Sequence, residues 1–254
     1  MFAAITEYKR YLFFGNPGDS GEAAIDDEIG SRLASAGNYG DALDWLESSV
    51  RLSLAENVRA ARLLEASMVA AKAHLIDKAY ILVSLVPTDL NDSALRKRRY
   101  LCSGLINLQK SNWENAKNDF AGYFENSPRL YAQLKTWIHD NPPPKPRNAT
   151  LAVTLSCCIP GAGQAYAGDP GDGINALAIN AATGYPLAAA LYALQWNDVV
   201  FWTWLFSRFY RGNIITTGED VEHCNGRRND EYRSKYLAVL QEKITSKEGN
   251  EAIK

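Results

Sequence analysis

Histidine and cysteine are scarce in this chain, and neither falls where a metal site or a redox couple would need it. The three histidines stand apart at His74, His139 and His223, and the four cysteines (Cys102, Cys157, Cys158, Cys224) form no C-x-x-C pair. Without ligand spacing a zinc site has nothing to hold it. Cys157 and Cys158 lie in an apolar run, where free cysteine acts as a small hydrophobe, and packing is the role expected of all four. Net charge is only −2, so no basic excess points to nucleic acid. Lysine is missing between Lys145 and Lys235, which removes the Gly-Lys-Ser/Thr ending of a phosphate loop from that interval. No Ser–His–Asp arrangement and no acid–base carboxylate pair stands out, and no cofactor is called for. The first residues, MFAAITEYKRYLFF, lack the uninterrupted apolar core of a signal peptide, because Glu7, Lys9 and Arg10 break it.

What is present begins with a repeat. GNYGDALDWL (37–46), HLIDKAYILV (74–83) and SNWENAKNDF (111–120) align on Ala42, Ala79 and Ala116, which are 37 residues apart. Three positions before each alanine is a bulky residue, Tyr39, Ile76 or Trp113, and four after it come Leu46, Val83 and Phe120. Twelve positions before each lies a small residue: Gly30, Ser67 and Gly104. Small residues there let two helices approach closely, while the bulky ones fill the groove between neighbouring hairpins. The pattern resembles the tetratricopeptide repeat, with a period slightly longer than the usual ~34 residues. Its best copy is 104–128, and its middle copy has His74 where glycine is common. AITEYKRYLFFGNP (4–17) reads as the second helix of an earlier, incomplete repeat, and RLYAQLKTWIHD (129–140) as a capping helix. NPPPKPRN (141–148) then forms a stiff linker that cannot be helical.

Beyond the linker, charge disappears. Residues 148–168 and 173–197 contain no Asp, Glu, Lys or Arg, and each window is long enough to cross a bilayer at ~20 residues per helix. Between them lies the glycine-rich IPGAGQAYAGDPGDG (159–173). A dinucleotide fingerprint would need a third glycine where Tyr166 stands, so the stretch reads as the turn of a hydrophobic hairpin, with Asp169 and Asp172 in solvent. A third apolar run, VVFWTWLFS (199–207), is aromatic and ends near Arg208 and Arg211. Under the positive-inside rule those arginines, with Lys145 and Arg147, favour the cytoplasmic side for both hairpin ends, whereas a signal peptide upstream of the half-repeat would put the repeats outside the cytoplasm, so the side stays open. Pro160, Gly161, Gly163, Gln164, Tyr166, Gly168, Asp172 and Gly173, with the later Tyr210, Gly212 and Asn213, resemble a motif found after tetratricopeptide repeats in bacterial envelope proteins. More distantly, the hairpin is similar to the TM2 domain, although the Asp-Arg-Phe element of its signalling members is missing. The resemblance implies a membrane-embedded module and names no reaction.

EHCNGRRNDEY (222–232) reads as an exposed turn, and Asn229 as the N-cap of a terminal helix. LRKRRY (95–100) is the densest basic cluster and reads as a solvated helix face. The expectation is therefore an all-α chain: tetratricopeptide-like repeats over 1–140, a linker over 141–148, a hydrophobic hairpin module over 149–213 and a polar tail with a helix over 214–254. Its function is that of a non-catalytic scaffold, associated with a bacterial inner membrane or envelope. The repeats would bind a protein or peptide partner, without nucleic acid. Two alternatives stay open: a soluble adaptor in which 149–213 is a packed helical subdomain, and an enzyme or ligand-binding protein using the loop from Gly161 to Asp172.

Overall fold

Three turns of one construction set the register of the amino-terminal half. At Gly37, His74 and Ser111, spaced like the alanines, the backbone enters the left-handed region with φ of 81°, 61° and 57°. Each turn is closed by the same pair of bonds. The Gly37 N–H donates to the Ala34 carbonyl and Asn38 N–H to Leu33; His74 and Leu75 donate to Ala71 and Ala70, and Ser111 and Asn112 to Leu108 and Asn107. This is the Schellman closure, which satisfies carbonyls that a helix end would otherwise leave bare. Glycine takes the left-handed conformation freely, whereas His74 and Ser111 hold it against a Cβ penalty.

The computed structural model describes residues 2–15 and 17–252, and side chains within 3–15 and 17–246. Among these residues there are twelve helices and no strand, so the chain is all-α. Contacts divide it into two units, 1–141 with 238–254, and 142–237.

In the first unit the turns join helices into hairpins: α2 (Gly18–Ser35) with α3 (Tyr39–Leu52), α4 (Glu56–Lys72) with α5 (Ile76–Ser84), and α6 (Ser93–Gln109) with α7 (Trp113–Tyr123). α1 (Phe2–Gly15) packs on α2, and α4 touches α3 and α6, which links consecutive hairpins. α8 (Pro128–Asp140) follows, with Leu134 buried. Ala42, Ala79 and Ala116 are fully buried, as are Leu46 and Phe120. The close approach is visible at the glycines. A Cβ added to Gly30 would stand 2.7 Å from Leu46 Cγ, and one on Gly104 would stand 2.7 Å from the Phe120 ring. At the same register the middle hairpin carries Ser67 and the smaller Val83, both buried. Tyr39 packs against the core, and Trp113 is half-buried. Ion pairs tie successive hairpins, Lys78 to Glu47 at 2.7 Å and Lys110 to Asp77 at 2.6 Å. Within the basic cluster, Arg96 and Arg99 donate to the Leu90 and Val86 carbonyls, so two of its charges close the preceding loop.

The second unit departs from the expected hairpin. Instead of one helix over the first charge-free window there are two short ones, α9 (Ala149–Cys158) and α10 (Ala162–Ala167). The break falls at Ile159–Gly161, where the Gly161 backbone is left-handed at φ 93°. The DPGD sequence is no hairpin turn. Asp169 caps the next helix, α11 (Pro170–Tyr192), accepting from the Asp172 N–H, and Pro170 takes a first-turn position that suits proline. The reversal comes later, at 193–195, with Leu194 in the left-handed region. α12 (Trp196–Ala252) then runs unbroken for 57 residues. Residues 222–232 are therefore helix rather than turn, and Asn229 lies inside it rather than at a cap. Tertiary burial overrides the local turn signal: Asn213, Thr217, Val221, Cys224, Tyr232, Tyr236 and Leu240 are buried along this helix at near-helical spacing.

Candidate functional site

The glycine-rich stretch and the later Y-R-G-N segment meet in one polar node. Gly163 begins it. A Cβ there would collide with the Ala152 carbonyl and the Ser156 hydroxyl and stand 2.5 Å from Thr217 Cγ2, so α9, α10 and α12 converge on a position that only glycine fits. The space released holds hydrogen bonds. The Gly163 N–H donates to Ser156 Oγ at 3.1 Å, Ser156 Oγ lies 2.9 Å from Thr217 Oγ1, and Ser156 donates to Gln164 Oε1 at 3.2 Å. Gln164 Nε2 in turn donates to Asn213, at 2.5 Å to its side-chain oxygen and 3.2 Å to its carbonyl. Thr217 Oγ1 closes the set on the Asn213 carbonyl at 2.7 Å. Ser156, Gln164, Asn213 and Thr217 are all buried, and in a low-dielectric interior such a connected network fixes one arrangement of its helices.

A second set clamps the entry to α9. The Arg147 N–H donates to Asn225 Oδ1 at 2.8 Å, while Asn225 Nδ2 donates to the Arg147 carbonyl at 3.0 Å, so a side-chain amide pairs with the linker backbone as a strand would. The Arg147 guanidinium donates to the Tyr166 carbonyl at 2.6 Å and lies 6.0 Å from the Tyr166 ring. The Tyr166 hydroxyl accepts from the Asn148 N–H at 3.2 Å, so this tyrosine anchors the linker. Gly168, at φ 96°, leaves room for the same guanidinium.

The motif residues taken from the sequence thus divide. Gly161 and Gly173 touch backbone to backbone: a Cβ on Gly173 would lie 2.6 Å from the Gly161 carbonyl oxygen. Pro160 lies in the bend between α9 and α10. Tyr210 donates to the Cys157 carbonyl at 2.7 Å. Gly212 has open space around it, and Asp172 is exposed. The space beside Gly161, Gly163, Gly168 and Gly173 is therefore filled by the protein's own atoms. Sequence reasoning missed Ser156, Thr217 and Asn225, three ordinary polar residues whose roles depend on partners 61 or 78 positions away. It also assigned packing to all four cysteines. Cys102 and Cys224 are buried, but Cys157 and Cys158 are exposed on α9. Burial pushes the Cys102 thiol up to about 11, which keeps it protonated and inert. Glu222, His223 and Cys224 occupy successive positions of α12 and point around the helix rather than at one centre.

Between α11 and α12 runs an open groove of about 770 Å³. Its floor includes Gln164, Asn180 and Asn213, one end carries Asp172 and Asp220, and Arg208 and Arg211 line it farther along α12. Burial, with the Asp172, Asp169 and Glu219 carboxylates nearby, raises the Asp220 carboxyl above the usual range, while His223 pulls it down.

Compared with known proteins, the chain matches no family model, no curated protein and no solved structure.

Proposed function

We propose that this chain is a non-catalytic, membrane-associated scaffold. Residues 173–192 of α11 form the membrane-crossing leg, the aromatic start of α12 lies beside it at the membrane interface, and the hairpins of the first unit form a tetratricopeptide-like surface for a protein or peptide segment. The observation that carries this reading is inverted polarity. Along α11 the buried residues are Gly173, Asn180, Thr183 and Ala190, a small and polar stripe. The exposed ones include Ile174, Leu177, Ile179, Leu191 and Tyr185, the last 79% exposed. α12 continues the pattern, with Asn213 and Thr217 inside and Val200, Phe201 and Trp204 outside. A water-soluble subdomain would turn those apolar groups inward. In lipid, helices instead associate through small residues and interhelical polar contacts.

Among the described residues α11 alone is long and apolar enough to cross a bilayer, and only 17% of its apolar window is buried. Tyr192 and Trp196 flank the reversal at 193–195, as aromatic residues do at a membrane interface. The repeat half of the reading is supported by the recurring small-to-bulky contacts and by the shared turn at Gly37, His74 and Ser111. Fractionation of full-length protein tests the membrane assignment. The protein should stay with membranes through a carbonate wash and enter solution only with detergent. Release by carbonate, or a monodisperse protein without detergent, would return 149–213 to the status of a soluble subdomain.

A further inference from the structure

Among the described residues, two arginines of α12 have no protein partner. Arg208 and Arg211 stand one turn apart on α12, both exposed, and no carboxylate lies within ion-pair distance of either among the described residues. Arg147, by contrast, is held by the Tyr166 carbonyl. Basic side chains near a bilayer core are costly unless they reach water or an anion, and an uncompensated one marks a site by default.

The surroundings specify the anion. Both arginines line the 770 Å³ groove, and both also line a second groove of about 520 Å³ beside Val200 and Trp204. Two guanidinium groups line the groove and require ligand oxygens that only accept, while the Asp172 and Asp220 carboxylates line it nearer the start of α11. Ile179, Phe209 and Ile215 line the same groove with hydrocarbon. An anionic head joined to an apolar chain satisfies both halves at once.

We propose that this groove is a binding site for the phosphate of an anionic phospholipid, held by Arg208 and Arg211, with an acyl chain along the apolar wall. The site rests on the membrane reading, because the acyl chain reaches the groove from the bilayer. Guanidinium suits it better than ammonium would, since its planar fork pairs two oxygens of one phosphate.

The test is flotation of detergent-purified full-length protein with vesicles of pure phosphatidylcholine, or of phosphatidylcholine containing phosphatidylglycerol. Wild type, Arg208→Gln/Arg211→Gln and Lys97→Gln/Arg98→Gln are compared. All three should float with pure phosphatidylcholine. Wild type should prefer the anionic vesicles by on the order of tenfold, the scale expected for two basic groups near an anionic surface. That preference should vanish in Arg208→Gln/Arg211→Gln and survive in Lys97→Gln/Arg98→Gln, and millimolar-range glycerol 3-phosphate should not compete it away. Flotation without an anionic preference overturns the lipid site and leaves the membrane reading standing. So does a preference that persists without Arg208 and Arg211, or one that the soluble phosphate abolishes. No flotation with either vesicle overturns both.

Discussion

Transplanting the middle hairpin's contact into the first one is the sharpest test of the packing. Gly30 faces Leu46, and Ser67 stands at the equivalent register to Val83. In Gly30→Ser the new Cβ would lie 2.7 Å from Leu46 Cγ, 2.9 Å from Cδ2 and 3.1 Å from the Ala42 carbonyl oxygen. Leu46 is fully buried and cannot swing outward, and the carbonyl belongs to a helix backbone. Overpacking of this kind costs about 1–3 kcal/mol. The better helix propensity of serine returns roughly 0.5 kcal/mol, so a net loss of about 1–2 kcal/mol is expected. Leu46→Val alone removes buried hydrocarbon and should cost about 1 kcal/mol. Together the two should cost less than their sum by about 1 kcal/mol or more, because the shorter side chain vacates the space that the serine enters. Urea unfolding in mild detergent, followed by far-UV circular dichroism, supplies all four corners of the cycle. Losses that add to within about 0.5 kcal/mol would refute the proposed contact.

Other outcomes follow from single observations. His74→Gly and Ser111→Gly should each stabilise by about 0.5–1 kcal/mol by relieving the left-handed penalty, while Gly37→Ala should lose about 1 kcal/mol, as read from urea midpoints. Gly163→Ala should open the second unit to limited proteolysis while the first keeps its protection, because the added methyl meets the Ala152 carbonyl and displaces the Ser156 hydroxyl. Burial raises the Asp26 carboxyl above its ordinary range, against the Ser48 hydroxyl and the Arg51 and Arg62 charges. With the folded-state pKa above the unfolded one, its contribution is full below the unfolded value and lost as pH rises through the folded one. The stability of Asp26→Asn relative to wild type should therefore grow over that window, and a difference that stays flat with pH would show the carboxyl to be unshifted.

The sequence by itself determined what depends on near neighbours. The 37-residue spacing of Ala42, Ala79 and Ala116, with Gly30 and Gly104 twelve positions upstream, marks where helices cross, because helical periodicity and side-chain size are local properties. The charge-free windows likewise announced an apolar module without any structure. Pro160 marked the break in the first window, and the tertiary structure decided what packs around it. At Ile159–Gly161 the first window breaks, Gly161 meets Gly173 and Gly163 meets Ala152 close by in the chain, and Gly163 also meets Thr217 from the distant α12. Asn225 and Gly226 read as a turn, yet they lie inside α12, where Asn225 pairs with the backbone of Arg147 and neighbouring positions are buried. Polar residues such as Ser156 and Thr217 carry no periodic signal of their own. Their role was set by the partners that folding brought to them, since a buried hydroxyl must find a hydrogen bond wherever the chain supplies one.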